Sequence, residues 1–169
     1  MKKMISLAKF IQIKSARKLL LSIGICQTVG ILAFIFAAPS ISSWYTTLTK
    51  PSFAPPDWIF APVWFTLFTL MGISFYLIWQ EGIEKKAVKS AIVIFIIHLF
   101  FNFFWSTLFF SFKSPSLAFC EILILWIMII SLVPQFGKIN RLSAYLLMPY
   151  LYWVTFASLL NYSIWLLNS

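Results

Sequence analysis

Residues 44–79, WYTTLTKPSFAPPDWIFAPVWFTLFTLMGISFYLIW, determine how the rest of the chain is interpreted. The first half of this stretch is polar and rich in proline, and the second half is an apolar run without a charge. The stretch holds four of the eight tryptophans of the chain. Because a soluble loop rarely concentrates so many large rings, we predict an ordered, proline-stiffened lid over a cavity, followed by a helix that forms one cavity wall.

The composition indicates a membrane protein. Of the 169 residues, 62% are hydrophobic and only 10% are charged, whereas soluble chains carry about 25% charged residues. The chain contains five apolar runs, each of roughly 19 to 26 residues, and each is long enough to cross a hydrocarbon core of about 30 Å as a helix. Since unpaired backbone groups are costly in lipid, we predict an all-α integral membrane protein, a five-transmembrane-helix bundle with a long ordered loop between helices 1 and 2.

Prolines, lysines and a charged segment separate the apolar runs. The runs cover residues 19–39, a stretch that begins between Pro56 and Pro62 and ends near residue 79, and residues 88–112, 115–133 and 142–167. Pro39 and Pro134 are expected to end the first and fourth runs. Residues 1–18 are predicted to be a basic amphipathic N-terminal extension, and residues 19–169 the transmembrane domain.

The basic residues predict the orientation. Eleven of the thirteen Lys and Arg residues lie in the N-terminal segment, between runs 2 and 3, or between runs 4 and 5, and only Lys50 and Lys113 lie in the other connections. The positive-inside rule therefore predicts a cytoplasmic N-terminus, with the C-terminus and the loop 44–62 on the opposite side. The net charge of +9 does not follow one folded face, so nucleic acid is not expected as a partner.

Polar residues inside the apolar runs need an explanation, because ionisable groups are costly in a bilayer. His98, Asn102 and Trp105 recur at i, i+4 and i+7 and therefore share one helical face. They could line a ligand cavity, or they could form interhelical hydrogen bonds that only hold the bundle together. Glu121 could be a proton-coupling carboxylate or a neutral structural acid.

The sequence has no arrangement typical of an enzyme or of a metal site. We find no Ser/His/Asp arrangement, no paired carboxylates and no phosphate-binding glycine loop. Cys26 and Cys120 both lie inside apolar runs, so we expect small core residues rather than a disulfide or a zinc site. We therefore predict neither catalytic residues nor metal ligands.

Motifs from about residue 20 to the end resemble those of the TspO/MBR family, also described as translocator proteins or tryptophan-rich sensory proteins. The loop is similar to the family pattern W-Y-x-x-L-x-K-P-S-W-x-P-P-x-W, with Phe53 in place of one tryptophan. The third run matches the family's N-x-x-W at Asn102 and Trp105. The family's last-helix signature is matched by Pro149-Tyr150, Trp153, Phe156-Ala157 and Leu160-Asn161-Tyr162.

The resemblance implies a five-helix bundle, often a homodimer, with one pocket that opens toward the first loop. It implies a membrane receptor or sensor that binds protoporphyrin IX, haem and related hydrophobic ligands, and it implies no obligatory cofactor. The alternatives are a transporter of porphyrins or similar amphipathic molecules, and light- and oxygen-dependent porphyrin degradation. By position, the implied pocket residues are Tyr45, Trp64, His98, Asn102, Trp105, Cys120, Ile124, Ala157 and Leu160.

Three departures from the family pattern modify these expectations. His98 stands where the family more often has glutamine or asparagine, so the resemblance suggests pH-dependent binding or ligation of haem iron at this position. The segment 160–166 lacks the basic residue of the proposed cholesterol motif, and cholesterol is therefore not expected as a partner. Tyr162 replaces a tryptophan linked to porphyrin degradation in some bacterial relatives, which lowers the support for that activity.

Overall fold

The fold is known from a computed structural model that describes residues 13–169. In this part of the chain, five helices are long and apolar enough to cross a membrane. They are α1 (Ala16–Ile41), α2 (Phe60–Trp79), α3 (Lys86–Ser106), α4 (Pro115–Ile139) and α5 (Arg141–Leu167). The predicted all-α membrane bundle is therefore confirmed. The predicted extension 1–18 lies mostly outside the described residues, and its last residues belong to α1.

Capping residues mark the starts of three helices. The side chains of Ser15, Ser114 and Asn140 each accept hydrogen bonds from backbone N–H groups in the first turn of the helix that follows. Pro115 directly follows its cap, a position where the missing N–H has no intrahelical partner to lose. These caps satisfy donors that would otherwise stay unpaired at the helix ends.

Pro39 and Pro134 lie inside helices, and the prediction that they end them is wrong. Pro39 lies in the last turn of α1, and Pro134 lies within α4, which continues to Ile139. A proline inside a helix removes one N–H donor and crowds the carbonyl four residues earlier. Ending a helix in hydrocarbon would leave several backbone groups unpaired, so continuing the helix past a proline costs less there.

A π-helical turn, Thr107–Ser111, follows α3 and was not predicted. It carries Phe109 and Phe110 to the lid, where their ring centroids lie 6.2 and 5.5 Å from that of Tyr45. Wide turns of this kind are rare and often occur at functional sites. Here the turn places two rings of the third run beside the lid.

Consecutive helices run antiparallel, as hydrogen bonds between their ends show. Ser15 N donates to Tyr76 Oη, which joins the start of α1 to the end of α2. Asn161 Nδ2 donates to the carbonyl of Pro115, which joins the end of α5 to the start of α4. The charged connections therefore collect at one end of the bundle, and the loop after α1 lies at the other. That the basic end faces the cytoplasm stays a prediction.

Candidate ligand cavity

A cavity of about 400 Å³ lies between α1, α2, α3 and α5, next to the loop that joins α1 to α2. This volume falls within the range of about 300–1,000 Å³ that is typical of small-molecule sites. Six of the predicted pocket residues line it: Tyr45, Trp64, Asn102, Trp105, Ala157 and Leu160. The structure thus brings together residues from the loop and from three helices.

Three predicted pocket residues do not line this cavity. His98 is fully buried in the core of the bundle and contacts Tyr150 instead. Cys120 and Ile124 are exposed on the outer surface of α4, and no residue of α4 lines the cavity. The expectation that Cys120 is a core residue is therefore wrong, whereas Cys26 is fully buried as expected.

Four aromatic rings form a continuous row along the cavity. Phe68, Trp64, Trp105 and Phe109 follow one another in this order, and all four line the cavity. Neighbouring centroids are 5.6, 6.5 and 5.7 Å apart, and neighbouring planes differ by 30°, 32° and 30°. All four side chains line the cavity, so they give it an aromatic wall that a flat apolar molecule can contact.

One buried hydroxyl holds two polar side chains of α3. Asn102 Nδ2 donates to Tyr150 Oη at 2.8 Å, and His98 Nε2 lies 2.9 Å from the same oxygen. Of the two alternatives for His98, the structure shows the second, an interhelical hydrogen bond that holds the bundle together. Asn102 combines both alternatives, because it bonds to α5 and also lines the cavity. Its amide oxygen makes no hydrogen bond within residues 13–169, which leaves an acceptor available to a ligand.

A second hydrogen-bond chain orients Trp105. Its Nε1 donates to Asn161 Oδ1 at 3.1 Å, and Asn161 Nδ2 donates to the carbonyl of Pro115 at 2.7 Å. These two hydrogen bonds link α3, α5 and α4, and they hold the indole ring of Trp105 against the cavity. Trp64, in contrast, makes no side-chain hydrogen bond to any residue the structure describes, and its N–H remains free to donate to a ligand.

The loop after α1 has one polar cluster within itself and one contact that fastens it to the rest of the bundle. Lys50 Nζ lies 2.9 and 3.0 Å from the two carboxylate oxygens of Asp57 and 3.9 Å from the ring centroid of Tyr45. Thr49 and Asn168 exchange two hydrogen bonds of 2.9 Å, which tie the loop to the end of α5. These contacts make the loop an ordered lid, as predicted.

Tyr45 is the most buried residue of the lid. Its side chain is buried and lines the cavity. Burial, and in addition the negative charge of Asp57, raise the pKa of Tyr45 to about 12. The phenol therefore stays protonated at neutral pH and presents a neutral ring to Lys50.

Sequence reasoning missed the contribution of α1. Gly30, Phe34 and Ala37 of this helix line the cavity. An apolar run carries no mark of which face meets a cavity, so no signal in the sequence could have identified them.

The cavity reaches the outer surface between α1 and α2, where Phe34 and Phe65 line it and are 61% and 66% exposed.

Glu121 lies within α4 and outside the cavity lining. Its side chain is buried, at 5% exposure, and neither carboxylate oxygen has a hydrogen-bond partner among the described residues. A carboxyl group in such a place is costly in a membrane and often marks a functional position.

Comparison with known proteins identifies the chain's relatives. The sequence profile of the TspO/MBR family matches residues 22–166. The tryptophan-rich protein TspO of Chlorobaculum tepidum is 41% identical over 155 residues, which cover 92% of this chain and 98% of the relative. The protein of the same name in Archaeoglobus fulgidus is 38% identical over 153 residues, 90% of this chain and 97% of the relative. The translocator protein of Homo sapiens is 36% identical over 124 residues, 72% of this chain and 73% of the human protein.

Proposed function

Because the chain belongs to the TspO/MBR family, we propose that it is a membrane receptor or sensor that binds tetrapyrroles such as protoporphyrin IX and haem in its cavity. The observation that carries this proposal is the row of four rings formed by Phe68, Trp64, Trp105 and Phe109. A flat macrocycle stacks on such a row and buries most of its apolar surface there.

The energetics support binding of moderate strength. Burial of apolar surface contributes about 25 cal/mol per Å². The lost freedom of the ligand and the ordering of side chains offset several kcal/mol of that gain. We expect a dissociation constant on the order of micromolar.

The polar groups of the cavity favour a metal-free macrocycle. The amide oxygen of Asn102 can accept a hydrogen bond from a pyrrole N–H. Histidine, cysteine and methionine are all absent from the cavity lining that the structure describes. The one residue there of a type that ligates haem iron is Tyr45, and burial raises the pKa of its phenol to about 12, which disfavours the phenolate that would bind iron. Protoporphyrin IX therefore binds at least as tightly as haem in this proposal.

Absorbance titration of protoporphyrin IX into the protein in lipid nanodiscs tests the proposal. Trp64→Leu removes one ring of the row, and we expect affinity to fall by about tenfold from the lost stacking and surface burial. Trp58→Leu is the matched control, because Trp58 is 72% exposed and does not line the cavity. Equal affinities in both variants and the wild type would remove this site from consideration.

Transport of porphyrins is a second candidate function, and Glu121 is the observation that favours it. A buried carboxyl without a hydrogen-bond partner in the described chain could take up and release a proton during transport. Uptake of protoporphyrin IX into proteoliposomes should then depend on a proton gradient, and Glu121→Gln should abolish that dependence. Uptake that ignores both the gradient and the substitution would exclude coupled transport.

Porphyrin degradation receives no support from the position of Tyr162. This residue is exposed and packs against Phe119 and Trp165, with centroids 5.1 and 6.1 Å away. It does not line the cavity. We therefore keep binding as the leading proposal and transport as the alternative.

A further inference from the structure

We propose that Lys50 forms a subsite for a carboxylate group of the ligand at the mouth of the cavity, and that Asp57 occupies this subsite in the ligand-free protein. The inference rests on the proposed function, because it assumes that the cavity receives an organic acid with a flat apolar body. It adds the chemical class of the ligand's polar edge and names the residue that recognises it.

The position of the ammonium group is the first argument. Lys50 Nζ touches Asp57 and Tyr45, and both of these residues line the cavity. The Lys50 side chain is only 25% exposed. Its charge is therefore held at the edge of the cavity rather than extended into solvent.

The second argument is that Asp57 is replaceable. Its side chain is 51% exposed, and its contact with Lys50 is an ion pair near the surface. Such pairs contribute little to stability, so another carboxylate can take the place of Asp57 at small cost. The ring of Tyr45 lies under the ammonium and keeps it in position during the exchange.

The third argument is the distribution of charge. The cavity lining contains one acid, Asp57, and no basic residue in the part of the chain that the structure describes. In the connections at this end of the bundle, 42–59 and 112–114, the basic residues are Lys50 and Lys113. An acid whose apolar body stacks on the aromatic row thus meets Lys50 when its carboxylate reaches the mouth of the cavity. A tetrapyrrole with carboxylate side chains has this division into a flat body and an acidic edge.

The experiment compares protoporphyrin IX with its dimethyl ester, which has the same macrocycle without the charges. Both are titrated into wild type, Lys50→Met and Asp57→Asn proteins in nanodiscs of zwitterionic lipid, so that anionic headgroups do not compete. Wild type should bind the acid about three- to tenfold more tightly than the ester, and Lys50→Met should lower acid affinity to that of the ester. Asp57→Asn should strengthen acid binding severalfold and leave ester binding unchanged, because Lys50 no longer has a competing partner.

The opposite effects of the two substitutions separate the subsite from a general role in holding the lid. Lys113→Met is the matched control, since it removes the other cation at this end of the bundle, whereas the ion pair with Asp57 and the contact with the ring of Tyr45 belong to Lys50. Equal binding of acid and ester by wild type would overturn the subsite and leave the proposed function intact, whereas no binding of either compound would overturn the proposed function itself. Weaker acid binding in Asp57→Asn would also overturn the subsite. If Lys50→Met does not fold, the Asp57→Asn result decides alone.

Discussion

The hydroxyl of Tyr150 on α5 lies 2.9 Å from Nε2 of His98 on α3, in the fully buried core of the bundle. Asn102, one turn further along α3, donates to the same hydroxyl at 2.8 Å. The two polar residues thus share one partner, but only Asn102 also lines the cavity. Their substitutions should therefore have different effects on stability and on ligand binding.

His98→Leu should lower the thermal stability of the protein and change protoporphyrin IX affinity by less than about twofold. The substitution deprives the Tyr150 hydroxyl of one partner, and leaving a buried polar group unsatisfied costs about 1–3 kcal/mol. His98→Gln can restore a hydrogen bond and should recover most of the lost stability. Melting temperatures and binding isotherms in the same detergent measure both effects. A large loss of affinity in the stable His98→Gln variant would contradict the placement of His98 outside the cavity.

Bound haem should show no histidine ligation. His98 is the one histidine of the chain, its Nε2 is engaged by Tyr150, and it does not line the cavity. Absorption and electron paramagnetic resonance spectra of the haem complex should therefore be the same in wild type and His98→Ala. A low-spin signal that disappears in His98→Ala would instead support the iron ligation suggested by the sequence.

Gly72→Ala should destabilise the bundle. A β-carbon at Gly72 would lie 2.6 Å from the α-carbon of Ile23, so α1 and α2 would have to move apart. Gly24→Ala is the matched control, because an added β-carbon there meets no atom within 4 Å and alanine favours the helix. Thermal unfolding should give a lower melting temperature for Gly72→Ala and an unchanged or higher one for Gly24→Ala. Equal melting temperatures for the two variants would refute the close approach of these helices.

Asn168→Ala should loosen the lid. The substitution removes both hydrogen bonds between α5 and Thr49. Hydrogen exchange of the amides in residues 44–59 should become faster, and protoporphyrin IX should associate and dissociate more rapidly. Ser169→Ala serves as the control, because Ser169 bonds only to the carbonyl of Trp165. Unchanged exchange in Asn168→Ala would mean that this contact does not fasten the lid.

The sequence predicts the helices well because membrane burial imposes a simple pattern. The lengths of the apolar runs and the breaks between them locate the helices to within a few residues. Pro39 and Pro134 mislead, because the cost of unpaired backbone groups in hydrocarbon exceeds the local preference of proline for a helix end. The π-helical turn Thr107–Ser111 follows from packing rather than from a local signal.

The sequence predicts the cavity only in part. Asn102 and Trp105 are predicted because they combine a shared helical face with a family motif, and Trp64 is predicted by its position in the family pattern. The partner of His98 is 52 residues away in sequence, so only the packing of α3 against α5 reveals that this residue holds helices together. The role of Lys50 and Asp57 likewise depends on the folded loop, although opposite charges in an otherwise uncharged loop were an available signal.

The most direct test of the central claim is a crystal structure of the protein with protoporphyrin IX bound. We expect the macrocycle between α1, α2, α3 and α5, stacked on Trp64 and Trp105 with the lid closed over it. A macrocycle bound on the outer surface of α4, beside Cys120 and Ile124, would contradict the assignment of the cavity as the tetrapyrrole site.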